Sequence, residues 1–397
     1  MRIAFVTTQL PWPPVSGGVI KSWRLVQHWA HKYEVHLLTL LKNDDAKHVQ
    51  ALRERMPSLT ITTDATDRPR TALNLLKSYL LAPTLNVYRN QSTRFAELVK
   101  QAATQADVMV LDHYEMGQYV PSNYQGKVVL HQHNAEYVMW QRLAEIERNP
   151  AKKAVLAIEW RRIARAEKMY AQRSDLVWAA PNDIDALAAV GVPRQIMKPT
   201  YHLGEDEMLH WPPLQFQDGN YNILFVGTLT WEANVDGLLW FFAESWAAIK
   251  EAVPQARLTI VGKNPDKRLL EATAGDERVH FTGFVDDLMP LYNNARLFIV
   301  PLRFGSGIKV KLLNAMYRGL PIVTTPIGIE GLEVQHGREL FYTTQGAAFA
   351  KCVIDLLTHT DLCNSMSQAA RQKAQDYSWQ ALLARHDSEM EALVKQG

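Results

Sequence analysis

The stretch Val300-Pro-Leu-Arg-Phe-Gly-Ser-Gly-Ile-Lys-Val-Lys-Leu-Leu-Asn-Ala-Met-Tyr-Arg-Gly-Leu-Pro-Ile-Val-Thr-Thr325 decides how the chain is read. Phe298 to Val300 reads as a buried strand and Gly305 to Gly307 as a tight turn. Ile308 to Arg318 reads as a helix closed by Gly319, with Pro321 beyond it, and Ile322 begins another strand. Lys309 and Lys311 fall in the first helical turn with no acid beside them, where the helix already carries positive partial charge. Each exposed lysine there costs roughly 0.3–1 kcal/mol. A glycine turn, outward N–H groups and two cations make an anion such as phosphate the expected occupant; the alternative is a solvated helix with ordinary surface lysines.

Strand–helix alternation extends outward in both directions. At the start of the chain, Ile3 to Thr7 reads as a buried strand. A Pro/Gly-rich loop ending in Gly17-Gly18 follows, then a helix to about Lys32 and a strand from Val35 to Leu40. That is the βαβ rhythm of a doubly wound sheet, whose ligands lie beyond the carboxyl ends of the strands. Two adjacent glycines also make plain turns. Val128 to Leu130 is a strand that runs into His131-Gln-His-Asn-Ala-Glu136, so His133, Asn134 and Glu136 are candidate site residues, with His131 as an interior histidine. The alternation frays between Pro193 and Pro213 and restarts at Asn222-Ile-Leu-Phe-Val-Gly227.

Two similar α/β lobes follow from this pattern, with a ligand cleft expected between them. The boundaries are residues 1–205 for the first lobe, 206–375 for the second, and 376–397 for a C-terminal helix returning to the first lobe. Residues 151–173 read as a long helix whose charges form a solvated face. Between Arg68 and Phe95 five basic residues and no acid alternate with leucines. This is either a surface for anionic lipid or a core helix with a basic outer face.

The chain has 397 residues, 47% hydrophobic composition and a formal net charge of +2, which argues against a dedicated nucleic-acid partner. Cys352 and Cys363 have neither zinc nor disulfide spacing, and the expected compartment is a reducing cytoplasm. The first residues open directly into a strand pattern, so no signal peptide is expected, and no run approaches the length of a membrane span.

The order and spacing of these pieces resemble the GT-B glycosyltransferases of glycosyltransferase family 4. The residues that carry the resemblance are the Gly17-Gly18 loop, His133, Phe225-Val-Gly-Thr-Leu, His280-Phe-Thr-Gly-Phe-Val-Asp-Asp287 and Gly305-Ser-Gly-Ile-Lys-Val-Lys-Leu-Leu-Asn-Ala-Met. The resemblance implies an α/β fold of two Rossmann-like lobes and retaining transfer from a nucleotide-sugar donor to a glycan or lipid-linked acceptor in surface polysaccharide or glycolipid assembly. It implies no cofactor and no metal. It assigns His133 and Lys309 to catalysis. Gly18, Gly227, Thr228, Gly283, Phe284, Val285, Ser306, Gly307, Ile308 and Asn314 fall to the donor, and Gly17, Asn134 and Glu136 to the acceptor. Peripheral membrane contact is expected through residues 68–95. Lys309 is the expected diphosphate ligand, with Lys311 facing away. The chain departs from the family where two glutamates are usual, at Ser306 and Asn314, which keeps open a binding or regulatory subunit with lost donor chemistry. A nucleotide-sugar epimerase is a third reading, disfavoured by the lack of acidic residues for proton chemistry around the cleft.

Overall fold

Buried runs rich in Val, Ile and Leu recur at the spacing of parallel strands and pair into two separate sheets. The first contains β1 (Arg2–Thr7), β2 (Glu34–Leu41), β3 (Thr60–Ala65), β4 (Val108–Asp112), β5 (Lys127–His131), β6 (Leu176–Ala179) and β7 (Met197–Pro199), in the order β3-β2-β1-β4-β5-β6-β7. The second contains β8 (Asn222–Val226), β9 (Arg257–Val261), β10 (Val279–Gly283), β11 (Leu297–Val300), β12 (Ile322–Thr324) and β13 (Phe341–Tyr342), in the order β10-β9-β8-β11-β12-β13. Every strand pair is parallel. Central strands such as β4 and β11 are buried along their whole length, as helices covering both faces require.

This computed structural model describes residues 1–14, 17–42, 45–66, 68–147, 149–201, 203–305 and 308–395. Two compact units emerge, Met1–Tyr201 with Leu383–Gly397, and His202–Leu382. The expected divisions at 205 and 375 therefore stand a few residues from the observed ones. The last segment joins the first unit through Asp387, which accepts from Trp29 Nε1 at 3.0 Å, and Glu389, which accepts from Trp178 Nε1 at 2.6 Å.

Each sheet reverses its winding direction once, between β1 and β4 in the first and between β8 and β11 in the second. Crevices open beyond the strand ends at such points. In the first sheet the register sets Thr7 opposite Asp112 and Asp112 opposite His131, which brings three polar side chains to one edge.

Local expectations need three corrections. The decisive helix spans Val310–Arg318, so Lys309 is its N-cap residue rather than part of its first turn. Its end is as expected: Gly319 adopts φ 82°, and its N–H donates to Ala315 O and Met316 O at 3.0 Å each. The helix that the apolar pattern sets at about Val235 to Ala252 begins at Glu232 instead, and passes through a π-helical turn, Phe242–Trp246, before Ala247–Ala252. Finally, the long helix Pro150–Gln172 does not keep all its acids in water. Glu159 and Glu167 are buried because each satisfies free N–H groups at the start of another helix. Glu159 accepts from Leu85 N at 2.7 Å, and Glu167 accepts from Glu136 N at 2.7 Å and Tyr137 N at 3.2 Å.

Candidate functional site

In the second unit, β8 ends at Val226 and the chain turns through Gly227 and Thr228 into the helix Glu232–Phe241. The glycine is required by close approach: a Cβ there would stand 2.8 Å from Asn234 Nδ2 and 3.1 Å from Lys311 Nζ. Asn234 Nδ2 donates to Thr228 O at 2.9 Å and its Oδ1 accepts from Lys311 Nζ at 2.7 Å, which ties the glycine loop to the start of the Val310–Arg318 helix. The Lys311 ammonium also lies 4.2 Å from the centroid of the Phe225 ring. Burial, with Lys309 adding to it, pushes Lys311 down to about 7. The expectation that Lys311 faces away is therefore wrong: its ammonium lies under the β8 loop, beside Gly227 and Asn234.

Lys309 is buried as well, with Nζ 3.4 Å from Glu330 Oε2, and burial lowers its pKa against the pull of that carboxylate. Among the described residues no side chain caps this helix N-terminus. Gly305, at φ 143°, brings the backbone beside Lys309 Cε and the Trp231 ring; a Cβ on Gly305 would stand 3.6 and 3.8 Å from them. Ser306 and Gly307 lie outside the described residues. Ile308 packs against the positive-φ Gly331. At the end of β10, Gly283 adopts φ 74° with open space around it, and Phe284 is exposed with the Lys263 ammonium 5.6 Å from its ring centroid. Val285 follows in the same half-buried loop. Asn314 is buried with Oδ1 accepting from Glu205 N at 2.9 Å, so its acceptor oxygen is engaged by the backbone after Gly204.

In the first unit the centre of the site is Asp112, which sequence reasoning missed. Its Oδ1 is 2.8 Å from His131 Nδ1 and 2.7 Å from His133 Nε2, and its Oδ2 accepts from Thr7 and Ser22 hydroxyls at 2.8 Å each. Burial alone would raise Asp112, but the charge of His133 and the bonds from His131 and His133 outweigh it and hold it well below the usual carboxylate range. Buried Lys21, pushed down to about 8 by burial against the pull of Asp112 and Asp183, adds to this field. His133 stacks on His113, ring centroids 3.9 Å apart and planes at 12°. His113 holds φ 84°, a left-handed conformation that costs a non-glycine residue roughly 1–3 kcal/mol and accumulates at functional positions.

Gly18, in the first turn of the helix Gly17–Lys32, lets the His133 ring sit against the backbone; a Cβ would stand 3.2 Å from His133 Nδ1. Asn134 is exposed, and Glu136 accepts from Asn86 Nδ2 at 2.6 Å. The signal for Asp112 and His113 was present in Val108-Met-Val-Leu-Asp-His, a strand that ends in polar residues as β5 does. Among the described residues, Asp112, His113 and His133 set three ligand-type atoms within 4.8 Å of one another. We do not assign a metal to them, because Asp112 Oδ1 already takes two imidazoles and the stacked rings do not converge on one point.

Residues 220–359 match the family model described as "Glycosyl transferases group 1". Over 148 residues the chain is 31% identical to an uncharacterized 44.6 kDa protein in the cps region of Klebsiella pneumoniae, covering 36% of this chain and 38% of that protein. It spans well under half the length of the curated relatives it matches. Among solved structures, Anabaena Alr3699/HepE in complex with UDP aligns at TM-score 0.67 and 16% identity, over 99% of this chain and 100% of that one. Sucrose-phosphate synthase (tll1590) from Thermosynechococcus elongatus aligns at TM-score 0.66 and 17% identity, over the whole of both chains. These whole-chain likenesses identify the fold as GT-B, two parallel-sheet Rossmann-like domains, and the second of them carries the segment similar to group 1 glycosyl transferases.

Proposed function

We propose that this protein is a retaining glycosyltransferase, a member of glycosyltransferase family 4, that moves a sugar from a nucleotide-diphosphate donor to a glycan or lipid-linked acceptor in surface polysaccharide or glycolipid assembly. The observation that carries the reading is the placement of Lys309 and Lys311 at a helix start that no described side chain caps, beside the Gly227 loop and within the segment matched by the family model. The solved neighbour HepE holds UDP, and a nucleoside diphosphate is the ligand class these groups suit.

Breaking the bond between the sugar's anomeric carbon and the phosphate oxygen leaves an oxocarbenium-like sugar and a diphosphate with a new negative charge. Ammonium groups and helix N–H donors fixed before the reaction stabilise that charge without reorganisation, so the proposal invokes no metal and no cofactor. His133, oriented by Asp112, is the group we assign to the reacting sugar on the first unit. Asn134 and Glu136 at the end of β5 are assigned to the acceptor.

The same proposal includes peripheral contact with the inner face of the membrane. The helix Ala72–Leu81 leaves Leu73, Leu76, Leu80 and Leu81 exposed, with Arg70 and Lys77 nearby in the sequence. Apolar side chains beside cations suit an anionic bilayer surface. No helix among the described residues is long and apolar enough to cross a membrane.

The deciding experiment is donor hydrolysis and transfer across a panel of nucleotide sugars and acceptors. Turnover with one donor supports the reading. Donor binding without turnover on any acceptor would instead make the protein a binding subunit.

A further inference from the structure

Beside the Asp112 cluster, in the first unit, lies a second group of charged side chains that the proposed chemistry does not use. Lys42 follows β2, Arg70 precedes the helix Ala72–Leu81, Arg89 ends the helix Leu85–Arg89, and Glu115 lies in the 3-10 turn Tyr114–Tyr119 after β4. Among the described residues no hydrogen bond or ion pair engages the Lys42 ammonium. Arg70 donates to Asn86 Oδ1 at 3.4 Å, and Asn86 Nδ2 donates to Glu136 Oε2 at 2.6 Å, which links the cluster to the end of β5. Among the described residues Arg89 donates only through Nε, to Arg68 O at 2.7 Å. Gln118 bonds Val87 O at 3.2 Å and Glu115 O at 3.0 Å, fixing the turn that bears Glu115 to the helix that bears Arg89. Oε2 of Glu115 is buried, and among the described residues nothing hydrogen-bonds it.

Lys42, Arg70 and Arg89 thus gather around Glu115, and among the described residues none of their cationic groups has a carboxylate within hydrogen-bonding distance, although Glu115, Glu136 and Asp45 act on them through space. Burial lowers Lys42 and Arg89 against the pull of Glu115; Arg89 and Arg70 lower Lys42 further, and Arg70 lowers Arg89. Burial and Glu136 push Glu115 up to about 8, so near neutrality it carries a proton it can donate. Mutually repelling cations around a protonated acid are stabilised by a ligand that brings negative charge and hydrogen-bond acceptors.

We propose that Lys42, Arg70, Arg89 and Glu115 bind an oxyanion carried by the acceptor, either a phosphate ester or a sugar carboxylate. The acceptor assignment rests on the glycosyltransferase reading; the anion site itself does not. Arg70 and Arg89 supply planar donors, Lys42 a point charge, and Glu115 one O–H donor.

The test is calorimetric titration of inorganic phosphate, methyl phosphate and glucuronate into the full-length protein and its Lys42→Met/Arg89→Gln variant at constant ionic strength. Any anion bound in the second unit is common to both proteins and cancels in the comparison. The variant is expected to lose about tenfold or more in affinity for at least one anion. Its melting temperature should be no lower than that of the wild type, since two partly buried cations that repel one another are removed. Loss confined to methyl phosphate and phosphate identifies a phosphate ester, loss confined to glucuronate identifies a sugar acid, and either supports the site. Superimposable isotherms for all three anions overturn it. If the affinity difference persists while no nucleotide sugar turns over, the anion site stands and the transferase reading fails. Turnover on a neutral acceptor with superimposable isotherms leaves the transferase reading standing and removes the anion site.

Discussion

The ammonium of Lys311 donates to Asn234 Oδ1 at 2.7 Å, and among the described residues no carboxylate pairs with it. A cation held by a neutral amide in a buried position is costly while charged, which is why burial brings it down to about 7. Its stability effect follows from the sign of that shift. Between about 7 and the ordinary 10.5 the folded state holds fewer protons than the unfolded chain, so stability rises with pH across that window. Lys311→Met should therefore raise folding stability most at and below pH 7, by on the order of a few kcal/mol, with the gain, read from melting curves, fading toward pH 10. A diphosphate arriving at the Gly227 loop favours the charged form, so nucleoside diphosphate binding at pH 8 should take up protons. Calorimetry in buffers of different ionisation enthalpy measures this. Binding that leaves the proton count unchanged would separate Lys311 from the ligand.

Asp112 receives two hydroxyls and two imidazoles, so Asp112→Asn replaces a charged acceptor with a group that must turn an NH₂ toward some of those donors. His133 should lose its fixed orientation. We expect kcat to fall by roughly 10–100-fold with donor KM changed by much less. Ser22→Ala, which removes one of four donors, should have a smaller effect. Equal kcat in wild type and Asp112→Asn would remove Asp112 from the machinery.

What the chain revealed before folding, and what it hid, follows from the range of the interactions. Strands such as Leu297–Val300 and the Gly319 helix stop depend on neighbours a few residues away, and both were legible. The edge strand Thr60–Ala65 was not, because only Ile61 of its six residues is buried and the sequence reads as polar loop. Asp112 and Lys311 were misjudged for another reason. Thr7 and Ser22 reach Asp112 across 105 and 90 residues, and Asn234 reaches Lys311 across 77, distances that no local pattern encodes. Glu159 reads as part of a solvated charged face until the fold brings Leu85 N to it.

Glu115 should reveal itself through pH in the opposite sense to Lys311. Its carboxyl is pushed up from 4.5 to about 8, so the folded state holds the extra proton and stability falls as pH rises through that range. Glu115→Gln keeps the shape and removes the ionisation. The variant should match the wild type near pH 5 and exceed it at pH 8.5, by on the order of a few kcal/mol at most. Parallel melting curves at both pH values would mean that Glu115 titrates normally.

Glu159 joins two elements at once, accepting Leu85 N through Oε1 and pairing with Arg162 through Oε2 at 2.5 Å, with both side chains largely buried. Glu159→Ala leaves a helix N–H and a guanidinium without that partner. Breaking a buried pair from one side costs roughly 3–5 kcal/mol, so the melting temperature should fall by several degrees. Arg162 would still hold Ser78 O at 2.7 Å and Ala82 O at 3.0 Å, so the double variant Glu159→Gln/Arg162→Met should recover part of the loss. A single variant as stable as wild type would show that water replaces the carboxylate at Leu85.

Leu76 and Leu80, 63% and 85% exposed, are one helical turn apart on the helix Ala72–Leu81 and carry the proposed membrane contact. Replacing both with glutamate removes apolar area and adds negative charge opposite an anionic surface, while disturbing little of the core. Co-flotation with vesicles of one-third anionic lipid should fall about tenfold or more, since burying two leucines contributes roughly 3 kcal/mol. Soluble turnover on a short acceptor should stay within twofold. Arg70 and Lys77 lie close to these leucines in the sequence, so raising salt should weaken flotation of the wild type. Flotation that is equal for wild type and variant at low salt would remove this helix from the membrane surface.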